Sequence, residues 1–210
     1  MRLLHVLTVM FFLPLSACAH TGAPFDGQVL EYGTRAPVAG AIVVARWLAT
    51  WHTPWQSSTL CGHIEAATTD ANGRFHIPGW TAPSLGFNVV MGGPPEYPTT
   101  VYKTGFAYYG GLDFPAYFDS LDYKQHVLFV KPFKGTRAEQ IQKIWSASVI
   151  CEKAETSSKN LIRLYRTLFQ EASSIAETKE DHQAVDALHY QLEIMEFGYE
   201  EATKRMYEKK

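Results

Sequence analysis

Three histidines, His52, His63 and His76, and three carboxylates, Glu31, Glu65 and Asp70, are candidates in the first half of this chain for acid–base or metal chemistry. Zinc held on a helix calls for His-Glu-x-x-His, which brings two imidazoles onto one face. His63-x-Glu65 lacks that spacing; on a strand the two residues share a face, as a salt bridge or surface pair does. A nucleophilic serine would sit in a Gly-x-Ser-x-Gly elbow, and no such elbow occurs. Neither a P-loop nor a dinucleotide glycine pattern is present. Spacing alone does not make the carboxylates converge. The reading therefore assigns no catalytic residue, no cofactor and no metal ligand. Left over are Trp47, Trp51 and Trp55 at intervals of four and three cysteines, Cys18, Cys61 and Cys151.

Cys18 ends an apolar stretch. Arg2, the run Leu3–Leu15 and the small pair Ser16-Ala17 are the three zones of an export signal. The run is shorter than the roughly 20 residues that span a bilayer. Leu15-Ser16-Ala17-Cys18 resembles the lipobox of bacterial lipoproteins. The resemblance implies a signal peptide over residues 1–17, removed in maturation, and a thioether-linked diacylglyceryl group on Cys18, carrying palmitate-class chains. Two or more acyl chains hold a protein stably on a membrane. Ala19 follows the cysteine instead of Asp, which by the same resemblance implies an outer-membrane rather than an inner-membrane anchor, facing the periplasm.

With Cys18 acylated, Cys61 and Cys151 remain as an even pair in an oxidising compartment. A structural disulfide is expected. A redox pair, which would favour Cys-x-x-Cys, metal ligands, and two unrelated buried thiols are the alternatives.

The elements that position these residues change character along the chain. The formal charge of −2 offers no basic field for nucleic acid. Residues 135–210 contain no proline and many Glu, Lys and Gln, whereas residues 26–134 are rich in Gly, Pro, Val and aromatics. A short tether over 18–25, a β region over 26–134 and a helical region over 135–210 follow. Strands are expected at Gly27–Tyr32, Ala41–Leu48, Ile64–Thr69, Arg74–Ile77, Phe87–Met91 and Tyr123–Val130, with a turn at Asp70-Ala71-Asn72-Gly73. "GQVLEYGTRAPVAGAIVVA" and "ATTDANGRFHIPG" resemble the carboxypeptidase regulatory-like domain. That resemblance implies an antiparallel, transthyretin-like β-sandwich with Phe75 in its core, and points to accessory and binding roles. Two long connections, 49–63 and the aromatic insertion 92–122, depart from the family's simplest form.

Thr136-x-x-Glu139 and Thr178-x-x-Asp181 are capping boxes. They predict a first helix to Ala154 and a third from Thr178 to Tyr207, with a second over Ser158–Glu177 between them. Ile141, Ile144, Trp145 and Val149 form the first apolar side. Val185, Leu188, Leu192, Met195, Tyr199, Ala202 and Met206 form a stripe on the third, so an antiparallel helical hairpin or small bundle is expected, the alternative being that the stripe takes a partner helix. The whole reads as a membrane-anchored envelope lipoprotein, a non-catalytic binding or scaffolding module that contacts another envelope protein. The alternative is a glycan-binding lipoprotein using loop aromatics: Trp51, Trp55, Tyr108 and Tyr109. Such rings anchor interfaces or stack on sugars, and otherwise fill cores.

Overall fold

The run Ala41-Ile42-Val43-Val44-Ala45 is buried at every position because the strand it forms is covered on both faces. The computed structural model describes residues 19–83, 89–91, 99–107, 127–149, 151 and 161–208. The strands are β1 (Ala19–Gly22), β2 (Phe25–Glu31), β3 (Ile42–His52), β4 (Ser57–Thr68), β5 (Arg74–Ile77), β6 (Trp80–Pro83), β7 (Val89–Met91), β8 (Thr99–Tyr102), β9 (Phe106–Ala107) and β10 (Val127–Pro132). They make one sheet in the order β5-β2-β10-β9, a second in the order β4-β3-β7 with β8 also on β3, and a ribbon β1-β6.

On β3, odd-numbered Val43, Ala45 and Trp47 join Val29, Phe75, Ile77, Val101 and Val130, drawn from both larger sheets, in one cluster. Even-numbered Ile42 and Val44 join Ile64, Tyr102 and the helices in another. Period two along a single strand thus feeds two cores. The Asp70–Gly73 turn is locked locally. The Asp70 carboxylate accepts from the backbone N–H of Asn72 and of Arg74, both at 2.8 Å. Gly73 has φ +70°, and a Cβ there would lie 2.4 Å from the Val29 carbonyl, so only glycine fits. Beside it the buried Thr69 hydroxyl donates to Val38 O and accepts from Ala41 N–H.

The helices are α1 (Arg137–Ser146), α2 (Ile162–Ile175), α3 (Lys179–Phe197) and α4 (Tyr199–Glu208). Both capping boxes are formed as expected, at Thr136/Glu139 and Thr178/Asp181. Arg166 reaches Glu196 and Phe169 lies against His189, so α2 and α3 run antiparallel. The chain is α+β, with its C-terminal region helical.

Several expectations change. The β-sheets are not wholly antiparallel: β10 lies parallel to β2, with Val127 opposite Gln28, because the intervening strands provide the crossover a parallel pair requires. Within the segment expected as a tether, Ala19–Gly22 is a strand, β1, paired with β6 from Ala19↔Pro83 to Gly22↔Trp80. Residues 49–63 are not a long loop; β3 and β4 run on as one hairpin, paired from Ile42↔Thr68 to His52↔Ser57. The first helix stops at Ser146, and Trp145 is exposed. The third helix is broken at Gly198 (φ +88°), which ends the stripe: Tyr199 is 66% exposed, while Ala202 is buried again.

Candidate binding surface

The β3–β4 hairpin carries the tryptophan series, and its alternation distributes the rings. Trp47 points into the shared core, with ring centroids 6.4 Å from Phe25 and 5.3 Å from Trp80. His63, opposite Trp47 on β4, stacks on Trp80 at 4.0 Å and shares a 2.9 Å contact with Glu65. These rings fix the base of the hairpin. Trp51, four residues on, is 39% exposed, and Trp55 at the tip is 92% exposed. The four-residue tip is closed by Thr53: its N–H and hydroxyl donate to Gln56 O, and its hydroxyl accepts from Gln56 N–H. His52 and Ser57 hydrogen-bond across the last rung at 2.9 Å. The helix that a spacing of four permits is not formed; four residues on a strand also return to one face, and Pro54 falls harmlessly in the turn.

The hairpin also aims Cys61. Trp47 pairs with His63 and Leu48 with Cys61, so Gly62 is the extra residue of a β-bulge. By simple alternation Cys61 and Ile64, three apart, would point to opposite faces. The bulge puts both on the helix side, and there Cys61 is bonded to Cys151, just beyond α1. The structure thus pairs the two cysteines, from a strand rather than from a loop.

A second polar cluster lies where the sheet meets the helices. Tyr102 donates from its hydroxyl to Glu171, and Gln140 Nε2 donates to the other Glu171 oxygen at 2.8 Å. Burial and the Glu171 carboxylate push the Tyr102 phenol far above its ordinary range, so it stays a neutral donor. The cavity beside it, lined by Phe106, Phe133 and Ile144, measures about 10 Å³, at the lower limit for one water. Tyr165 donates to Val149 O at 3.1 Å, and burial raises its phenol to about 12. At the helix N-termini, the backbone N–H groups of Thr178 and Glu177 hold the Asp181 carboxyl well below the usual carboxylate range, aided by Arg137. Arg137 also meets Glu177 at 3.2 Å, tying α1 to the start of α3.

His76 pairs with Asp26 on the surface, and the three histidines are not brought together. Among the described residues no three His, Cys, Asp or Glu form a metal-holding group. Tyr108, Tyr109 and Cys18 lie outside the described residues. The Tyr102–Glu171–Gln140 cluster escaped the sequence reading. Its signal was Glu171 itself, an acidic residue on the Leu164–Leu168–Ala172 stripe. The chain matches no family model, no curated protein and no solved structure.

Proposed function

We propose that the chain is a lipid-anchored envelope protein, a non-catalytic binding module that works through its β3–β4 hairpin on a transthyretin-like β-sandwich. The near-complete exposure of Trp55 on a hairpin tip closed by its own hydrogen bonds carries this reading. A large ring held in water on a preorganised element loses apolar contact for no folding benefit, and gains it on binding. The buried polar groups of the Tyr102 cluster, by contrast, satisfy one another around a space too small for a substrate. Both larger sheets contribute to one cluster, and Phe75 is inside it, which supports the sandwich. The lipobox-like Leu15-Ser16-Ala17-Cys18 supports the anchor.

A glycan ligand is the second reading, favoured by Gln56, an amide residue next to the exposed Trp55 in the sequence. The test has two arms. Cys18→Ser should leave a heavier, unprocessed precursor without acyl chains; the wild-type mature mass and fractionation in that variant would remove the anchor. A photo-cross-linker at position 55 in intact cells should give adducts that one at position 35 does not. Equal yields from both positions would remove the hairpin from the function.

A further inference from the structure

We infer that the hairpin tip is a second membrane contact, with Trp51 and Trp55 seated in the headgroup layer of the bilayer that takes the acyl chains of Cys18. This rests on the anchor proposed above and specifies what the hairpin touches. The direction of the strands carries it. β2 and β3, in different sheets, line the shared core and run in opposite senses. Phe25 meets Trp47 at one end. At the other, Val29 O accepts from Val38 N–H, and Val38 O is bonded through Thr69 to Ala41.

Upstream of Phe25 the chain passes into β1; downstream of Trp47 it runs out along the hairpin. Both leave the core at the same end. Trp80, opposite Gly22, packs on Trp47, so the β1–β6 ribbon and the outer hairpin start from one level. From there Ala19 is three residues out, about 10 Å, and Trp51 four residues, about 13 Å, at the rise of a strand. Cys18 is one peptide bond past Ala19, about 3.8 Å between Cα atoms. The anchor has no slack with which to hold this end away from the membrane.

Charge agrees with the placement. No Asp, Glu, Lys or Arg lies between Arg46 and Glu65, from Ala19 to Phe25, or from Ile77 to Pro83. Glu31 ends β2, Arg74 begins β5, and Arg35 and Asp70 lie in the connections beside them, all at the opposite end. Asp26, paired with the His76 ring, is the first charge met on the way back into β2; beyond it, an end poor in charge and tipped with amphipathic indoles matches what the water–hydrocarbon boundary accepts. A protein partner on the hairpin would have to approach through that boundary.

To test this, the mature full-length protein is reconstituted into phosphatidylethanolamine–phosphatidylglycerol vesicles, with and without brominated acyl chains. The Trp55 emission is taken as the difference between wild type and Trp55→Phe, whose fold is checked by its melting curve. The expected difference spectrum is blue-shifted and loses most of its intensity with brominated lipid, most strongly with shallow bromines. A water-like maximum of equal intensity in both vesicle sets overturns the inference, as does an unquenched Trp55 that responds instead to a cell-wall glycan or cross-links to a protein. The N-terminal mass of the same preparation separates the two claims. An acylated cysteine with unquenched Trp55 overturns the inference alone; a mature N-terminus without acyl chains overturns the anchor and the inference with it.

Discussion

Replacing Cys61 by alanine opens the covalent loop between β4 and the segment after α1. The bridged cysteines are 90 residues apart. Cross-linking a loop of that length removes about 15 cal/mol/K from the unfolded chain, or about 4.6 kcal/mol at 25 °C, an upper figure for real disulfides. For a chain of this size each kcal/mol moves Tm by about 2–4 °C, so the variant should melt about 9–18 °C below wild type under oxidising conditions. Under reductant both proteins lack the bridge, and the gap should shrink to the packing of one sulfur against Ile64 and the helices, about 1 kcal/mol. Urea unfolding with and without dithiothreitol, with thiols counted in each sample, measures both differences. A gap that survives full reduction would refute the reasoning, because packing rather than loop closure would then be holding the helices to the sheet.

Deleting Gly62 removes the bulge and should turn Cys61 to the other face of β4; thiol titration of the unfolded variant should find two more free thiols than wild type, and none extra would mean another residue sets the register. Tyr102→Phe leaves one Glu171 oxygen buried without its donor and should cost about 1–3 kcal/mol in urea unfolding, whereas an unchanged midpoint would place that oxygen in contact with water. Asp181 holds its proton less tightly folded than unfolded, so its stabilisation is complete above its ordinary value of 3.8 and declines as pH falls below it. Asp181→Asn should therefore be less stable than wild type at neutral pH and lose less stability on acidification; parallel acid profiles for the two proteins would assign the acid limb elsewhere.

The features that local chemistry dictates were legible in the sequence. Asp70 and Gly73 close their turn with their own atoms, and the two threonine caps need only the residue three positions on. The cysteine pairing was expected from counting with Cys18 set aside, though the count alone left other roles for the two thiols open. The hairpin did not, because a tryptophan every fourth residue suits both periods and Pro54 looked like a break rather than a turn. Strands β1, β6, β8 and β9 are two to four residues long, too short to show alternation, and exist only through partners elsewhere in the chain. Which tryptophan would be wet was settled by where the hairpin outruns the core. The bulge that turns Cys61 inward is a matter of register, and Gly62 alone does not announce it.

The parallel ladder between β2 and β10 has a consequence for the order of events in folding. In a chain made from its N-terminus, β2 is among the first strands to emerge and β10 the last. The β2–β5 pairing closes early, but the far side of β2 stays open until residue 127 arrives. Because non-local contacts form only after their loop has closed, this pairing is expected to come late in folding. A chain stopped short of that strand presents an unpaired edge, the surface on which strands of other molecules add.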